Sequence, residues 1–494
     1  MTTYVNRRSL LRGGLGLAAT TTALAGLPGG PALATGRSGA IIPTDSDIYG
    51  VPTMNPLIEQ RADPFITRPV GGMYYMTGSV PEYDRIVVRG ASSIVGLATA
   101  GEATVWRRPS SGKMGGHIWA PELHRIDGRW YIYFAAGDSD NVFRIRMYVL
   151  ESAADDPRDQ SAWVLRGQMR TPWESFSLDA TTFEHDGHRY YVWAQSEPEL
   201  DVNTSLYIAE MSSPLAIVGD PVRIATPTRS WETQGFAVNE GAAVIKRNGR
   251  IFMTFSASAT DSRYCMGLLT ADARANLLDA AAWTKNPDPV FVTNEQTQQY
   301  GPGHNSFTVA EDGETDVLVY HARDYRDIVG DPLYDPNRHT RVQKLYWHED
   351  GTPLFGVPVG KGGPIVRLSP ANARSTFVRH HEFEMRVDGD VRELADSQFR
   401  FVPGFLGEPS EAIQSVNSPD RYVQVIGKAL HLTAYEDTAP YAASTSFIRE
   451  PAQTNKSAVS LRLADRPTTY LRHDKGRLTV GPGDDGAHSK FWLS

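Results

Sequence analysis

A turn that recurs five times constrains this chain more than any other feature. GGMYYMTGS begins at Gly71, HRIDGRWYIYFAAG at His124, EHDGHRYYVWAQS at Glu184, KRNGRIFMTFSAS at Lys246 and AEDGETDVLVYHA at Ala310. Each sets a glycine, usually after Asp or Asn, ahead of a strand of aromatic and branched residues. Both residues of a tight hairpin turn need positive φ, so Asn-Gly or Asp-Gly between apolar runs predicts a hairpin. The aligned glycines, Gly72, Gly128, Gly187, Gly249 and Gly313, follow one another at 56, 59, 62 and 64 residues. Four-stranded blades repeat at about 40–50 residues, more when loops lengthen them. Five units therefore predict an all-β, five-bladed propeller; a sandwich with five hairpins is the alternative.

Upstream of these turns lies a second regularity. Asp63, Glu240 and His304 each stand 9 residues before their turn glycine, and Asp179 stands 8 before its own. The second unit has Ala120 of WAPELH at the equivalent place, 8 before Gly128. Innermost strands of a propeller line the central channel, so equivalent positions converge on its axis. Three carboxyl groups and one imidazole are expected to share a cavity there. Like charges crowded together raise the pKa of at least one of them. Each acid taken singly reads as a solvated loop residue; the matched offsets argue otherwise.

The chain has 494 residues, 41% hydrophobic, a net charge of −8 and a single cysteine, Cys265. That suits two domains with no disulfide, no apolar run long enough to span a bilayer, and no basic surface for nucleic acid. At the start, Asn6-Arg7-Arg8-Ser9-Leu10-Leu11 is a twin-arginine pattern. An apolar stretch runs through Leu27, and Ala32-Leu33-Ala34 is an A-x-A cleavage site. Residues 1–34 are expected to be an export signal, and the mature protein to be secreted.

RADPFI, WAPELH followed by YIYFAAG, SLDATTFE, VNEGAAVIKRNGRIFMTFSAS, YGPGHNSF and NRHTRVQKLYW occur in this order. Together they resemble glycoside hydrolase family 43 over about residues 42–358. The resemblance implies a five-bladed propeller that hydrolyses arabinan, arabinoxylan or xylan, and its wording is similar to that of α-L-arabinofuranosidases. It implies Asp63 as general base, Glu240 as general acid and Asp179 as a third carboxylate that tunes and orients the acid. The chemistry is consistent with this. Inversion at a sugar needs a protonated acid at the leaving oxygen and an ionised base behind the attacking water, about 6.5–9.5 Å apart. An anion beside Glu240 disfavours a second negative charge, so Glu240 keeps its proton near neutrality. The remaining alternatives are a β-xylosidase or an internally cleaving arabinanase on the same site, or a sugar-binding propeller without catalysis.

His304 has two readings. One is a ligand or neighbour of a calcium ion at the channel floor, which similar enzymes hold, although calcium prefers oxygen ligands. The other is a buried imidazole facing the catalytic carboxylates. Arg323 and Arg341 are candidates for contacts to substrate hydroxyls or to the acids, or for surface ion pairs. Trp119 and Phe65 are candidates for an apolar wall against the sugar, or for core packing.

Beyond a Gly/Pro-bearing stretch from Gly360 to Ser375 comes a threefold repeat. FVRHHEFEMRV starts at Phe377, YVQVIGKALHL at Tyr422 and YLRHDKGRLTV at Tyr470, at steps of 45 and 48. Three such units predict a β-trefoil over residues 376–494. SVNSPDRYVQ and SLRLADRPTTYLRH resemble the arabinofuranose-binding carbohydrate-binding module family 42. That resemblance implies a His and an Asp per sugar pocket. Lobe one keeps His380 and Asp396. Lobe three keeps His473 but has His488 in place of the Asp, and lobe two has Val425 and Ser444. A trefoil kept only for packing is the alternative. The expected partner is plant cell-wall polysaccharide, arabinan or arabinoxylan, with no nucleic acid and no membrane, and the expected state is a monomer.

Overall fold

The computed structural model describes residues 55–494, apart from 349, 390, 453–454 and 484–486. The expected export signal, 1–34, and the expected start of the propeller at 42 lie outside the described residues. The first two-thirds forms five antiparallel sheets, each a meander in chain order. Blade one is Ala62–Ile66, Tyr74–Ser79, Arg85–Ala91 and Ala103–Arg107. Blade two is Ile118–Ile126, Arg129–Ala136, Arg146–Ser152 and Trp163–Gln168. Blade three is Ser177–His185, His188–Gln195, Ser205–Ser213 and Ala216–Ala225, and blade four is Asn239–Arg247, Arg250–Ala257, Cys265–Asp272 and Thr284–Lys285. Blade five has three strands of its own, Tyr300–Val309, Asp316–Arg323 and His339–Lys344. The segment before blade one completes it: Ile58 bridges Thr340, and the Asn55 side chain exchanges hydrogen bonds with the backbone of Val342. The two ends of the propeller are thereby tied together across the seam.

Four of the five predicted turns have two consecutive residues at positive φ, as a primed hairpin turn requires: Gly71-Gly72, Asp127-Gly128, Asp186-Gly187 and Asn248-Gly249. Blade five differs. Only Gly313 is left-handed there, and the Asp312 carboxylate accepts from the amides of Glu314 and Thr315 in a longer loop. The second strand of blade two shows why both faces of these strands are apolar. Trp130, Ile132 and Phe134 pack toward blade one with Tyr75, Ile86 and Val88. Tyr131, Tyr133 and Ala135 pack toward blade three with Tyr191 and Trp193.

The C-terminal third is an all-β unit with its own core of Val378, Phe399, Val423, Leu461, Leu471 and Phe491, among others. Its hairpins Phe377–His381/Glu384–Asp388, Arg421–Ile426/Ala429–Ala434 and Thr469–Asp474/Arg477–Pro482 touch one another through Glu384 with His431, Arg386 with Arg477, and Ala429 with Thr479. The remaining strands close a ring, with Val366 bridging Phe399, Glu411 pairing Phe447, Val459 pairing Phe491, and Phe491 pairing Pro370. The predicted boundary at 376 is too late. Val366 and Leu368 belong to this core, and Leu368–Pro370 pairs with Phe491–Leu493, because the ring needs a strand from before the first hairpin. Arg367 lies over the rings of Phe377 and Tyr346, 3.4 and 5.1 Å from their centroids, and so joins the unit to the propeller.

Candidate functional site

Every innermost strand carries a bulge at the same level. The pairing register shifts between Ala62 and Phe65, Trp119 and Glu122, Leu178 and Thr181, Glu240 and Ala243, and Gly303 and Ser306. One residue in each bulge is left-handed: Asp63 at φ 50°, Ala120 at 41°, Asp179 at 55°, Gly241 at 59° and His304 at 34°. Four of these are not glycine, so strain is stored in one ring around the axis. A bulge frees an amide from the ladder, and that amide needs a partner. The partner usually comes from the neighbouring blade. Asp63 N–H donates to His321 Nδ1 at 3.0 Å, Ala120 N–H to Ser79 Oγ at 2.8 Å, and His304 N–H to Ser256 Oγ at 2.8 Å. The Gly241 amide donates to the Asp179 carboxyl.

Glu240 is therefore not at the position its spacing suggested. The bulge residue of blade four is Gly241, and Glu240 stands one residue upstream, level with Trp119 and Leu178. A Cβ at 241 would come within 3.0 Å of the His304 ring, so the fifth member of the ring is glycine. Asp63, Asp179, Glu240, Trp119 and His304 all line one cavity of about 500 Å³, as predicted. Phe143, Phe176 and Phe236 add aromatic walls from the connecting loops.

Ser79 and Arg338 donate toward the Asp63 carboxylate, and two imidazoles lie beside it. Ser79 Oγ donates to Oδ2 at 2.5 Å, and Arg338 Nη1, His321 Nδ1 and His304 Nδ1 lie 3.3, 3.4 and 3.5 Å from Oδ1. Burial alone would raise this carboxyl, but Arg338 chiefly, then His304, outweigh it and hold it at about 2. His321 accepts the Asp63 amide on Nδ1, so its proton is on Nε2; burial and Arg338 keep the ring neutral. Arg338 also donates to the Tyr83 hydroxyl at 2.8 Å.

The other two carboxyls behave oppositely. Burial and then the neighbouring Asp179 push Glu240 up to about 8. Burial, Asp63 and Glu122 push Asp179 well above the usual carboxylate range. Asp179 is thus itself displaced upward beside Glu240. At neutral pH Glu240 retains its proton. The Tyr264 hydroxyl donates to Glu240 Oε1 at 2.8 Å, which leaves Oε2 to carry that proton.

Three predicted contacts are corrected. Phe65 packs 4.9 Å from the His124 ring between blades one and two. Arg323 is fully buried and holds the loop after blade five's second strand, donating to Asp335 and to the carbonyls of Thr260 and Pro332. Arg341 is equally buried, on Asp324 and the Val359 carbonyl. Neither arginine lines the cavity. Both are paired because a guanidinium sunk between strands must find acceptors. Sequence reading missed Arg338, Tyr264, His321 and Ser79. Ser79, Ser256 and His321 fall 7, 7 and 8 residues after Gly72, Gly249 and Gly313, a regularity that could have revealed them.

Calcium takes six to eight oxygen ligands. Among the described residues no group of three or more His, Cys, Asp or Glu side chains is placed to hold a metal. His304 Nδ1 instead faces Asp63 and Asp179, 3.5 Å from each. The side chains near His304 do not fit a calcium site.

In the C-terminal unit, His380 Nε2 pairs with Asn417 Oδ1 at 2.9 Å, and Asn417 donates to Asp396 Oδ1 at 2.9 Å. Arg379 donates to the other Asp396 oxygen at 2.8 Å. His473 Nε2 pairs with Asn372 Oδ1 at 2.8 Å, with the His488 ring 5.1 Å away. Val425 takes the corresponding register position in lobe two, and Ser444 there accepts from Gln424.

The chain matches the family described as glycosyl hydrolases family 43 over residues 53–353, and the alpha-L-arabinofuranosidase B (ABFB) domain over residues 366–492. It is 57% identical over 73% of its length to the extracellular exo-alpha-(1->5)-L-arabinofuranosidase of Streptomyces avermitilis, covering 75% of that protein. It is 49% identical over 89% of its length to alpha-L-arabinofuranosidase 43 of Humicola insolens, covering 94% of that protein. Among solved structures, an alpha-L-arabinofuranosidase from Lactobacillus brevis superposes with a TM-score of 0.61 at 53% identity, over 63% of this chain and 98% of that one.

Proposed function

The chain belongs to glycosyl hydrolases family 43, and from that premise we propose that it is a secreted, inverting, exo-acting α-L-arabinofuranosidase. The observation that carries the mechanism is the opposite displacement of two carboxyls on one cavity, Asp63 down to about 2 and Glu240 up to about 8. At neutral pH Asp63 is ionised and Glu240 protonated. Asp63 takes a proton from a water whose oxygen attacks the anomeric carbon. The bond from that carbon to the glycosidic oxygen breaks, and Glu240 gives its proton to that oxygen. The new bond forms on the face opposite the old one, which inverts the centre. The neighbouring Asp179 disfavours ionisation of Glu240 and so keeps the acid loaded. His304 stands between Asp63 and Asp179, and Arg338 fixes Asp63 as an anion. Trp119 walls the cavity beside them.

The relatives' names support terminal arabinofuranosyl residues as substrate and an extracellular location. The twin-arginine pattern at Arg7-Arg8 supports export by that route. The closed ring and three mutually touching hairpins of the C-terminal unit support a β-trefoil. Its match to an arabinofuranosidase B domain, with His380 linked to Asp396 through Asn417, supports sugar binding in lobe one. His473 with Asn372 supports a second site in lobe three. Val425 leaves lobe two without one.

The test is proton NMR of the first sugar released from arabinan and from an aryl α-L-arabinofuranoside, with an aryl β-D-xyloside alongside. The β-anomer of arabinofuranose appearing first is expected. The α-anomer first, faster turnover of the xyloside, or sugar binding with no turnover would each overturn the proposal.

A further inference from the structure

Behind Glu240, outside the cavity, sits a buried ion pair that the mechanism above does not use. Glu232 is fully buried, and Lys285 Nζ lies 2.6 Å from its Oε1. Lys285 comes from the outermost strand of blade four. Its side chain passes over the Phe255 ring, 5.4 Å from the centroid, to reach the inner end of the blade. There Nζ also donates to the Thr226 carbonyl at 2.7 Å and to Asn239 Oδ1 at 3.2 Å. Asn239 Nδ2 donates back to Glu232 Oε1 at 3.1 Å. The other carboxylate oxygen, Oε2, accepts the amides of Thr228 and Arg229, each at 2.8 Å. Both oxygens of Glu232 are thus satisfied twice, which a buried carboxylate needs to remain charged.

What this network grips is Asn239, which has no exposed surface and directly precedes Glu240. Asn239 is also tied to blade three, its amide donating to the Thr204 carbonyl at 3.1 Å and its carbonyl accepting from Thr204 Oγ1 at 3.3 Å. The segment from Thr226 to Val238 is a loop apart from one short 3-10 turn at Ser230–Glu232, and it brings Phe236 and Val238 to the cavity just ahead of Glu240. A buried pair can be replaced by apolar side chains with little loss of stability, so stability is weak ground for its presence. Geometry is better ground: a carboxyl displaced by about 1 Å loses about 10²-fold in rate.

We propose that Glu232, Lys285 and Asn239 form a clamp that positions Glu240 as the proton donor. The three are positioning residues and touch neither substrate nor water in the reaction. The proposal rests on Glu240 being the acid. If the clamp acts through that acid, its loss must depend on how much the leaving group needs a proton. Arabinan leaves as a poorly acidic alcohol, whereas dinitrophenolate departs without protonation.

The experiment is steady-state kinetics of Lys285→Met, Asn239→Ser and Glu240→Ala on linear arabinan and on dinitrophenyl α-L-arabinofuranoside. Lys285→Met is expected to lose about 10²-fold in kcat on arabinan and under about threefold on the dinitrophenyl substrate, with KM little changed. Asn239→Ser leaves the ion pair in place and removes only its hold on the strand, so it keeps the question open to measurement where Lys285→Met misfolds. The same split is expected of it. Equal losses on both substrates, or no loss on arabinan, would overturn the clamp. Absence of any split in Glu240→Ala would overturn the acid assignment, and the clamp with it.

Discussion

The Tyr264 hydroxyl points at Glu240 and donates to its Oε1 at 2.8 Å, while its ring stacks on that of His321, 5.8 Å away and within 7° of parallel. One tyrosine thereby links the proposed proton donor to the imidazole beside Asp63. A hydrogen bond to a carboxylate favours the charged form and lowers its pKa. Burial and Asp179 raise Glu240 against that pull, to about 8. Tyr264→Phe removes the opposing interaction and is expected to move the alkaline limb of kcat/KM to higher pH. It also frees Oε1 to rotate, so kcat on arabinan should fall by about tenfold. A pH–rate profile checks both, and an alkaline limb that stays in place or moves down would contradict the role of Tyr264.

Asp63 gives the opposite prediction. Its low pKa depends on Arg338 and His304 overcoming burial. If Asp63 is the base, as proposed, it stays ionised to low pH, and kcat/KM should stay level down to about pH 3, provided the fold survives. The folded pKa is depressed, so the stability it contributes is present above the unfolded value of 3.8 and is lost as pH falls through about 2. Asp63→Asn keeps the shape but accepts no proton. It is expected to lose about 10³-fold or more in kcat on arabinan and on an activated aryl substrate alike, because both need the water. A variant that retains rate on the aryl substrate would show that water is activated elsewhere.

The raised carboxyl of Glu240 also leaves a mark on stability. Glu240 is raised from 4.5 to about 8 on folding, so between those values the folded chain holds a proton that the unfolded chain has released. Stability then falls as pH rises through that window, and levels off above it. Glu240→Gln removes the cost of the buried charge. Its melting temperature should match that of the wild type near pH 4. It should exceed the wild type by about 2–5 °C near pH 8. Thermal melts at a series of pH values test this, and a gap that shrinks as pH rises would refute it.

How much of this was legible without coordinates follows from which constraints are local. The turn glycines are local, since positive φ at two successive residues is nearly confined to Gly, Asn and Asp, and four of five turns formed as written. The channel acids were visible through the same spacing. The bulge was not: it puts a variable residue count between turn and axis, and so Gly241 rather than Glu240 occupies the ring. Phe65 and Arg323 misled because an aromatic or a guanidinium near a motif looks the same whether it faces a cavity or the gap between blades. Arg338 and Tyr264 were missed because each ends a loop just ahead of its blade's third strand, at 339 and 265, where no turn motif marks it. Their placement is set by the closure of the ring, which no short window of sequence contains.

The C-terminal unit offers a prediction from its broken symmetry. His380, Val425 and His473 occupy one register position in three hairpins, opposite Met385, Leu430 and Leu478. Only the two histidines have a polar network around them, His380 with Asn417 and Asp396, and His473 with Asn372. A sugar hydroxyl needs donors and acceptors that are already oriented, and a valine supplies neither. In an Asp63→Asn background, which prevents digestion of the matrix, affinity electrophoresis through arabinan should show retardation of the full chain. His380→Ala and His473→Ala should each weaken it by about tenfold, and the pair together should lose more than either, because two linked sites bind a polymer by avidity. Val425→Ala should change nothing. Retardation that survives the double variant would mean that the polysaccharide is held by the propeller alone, and that the two histidine networks serve only the packing of their hairpins.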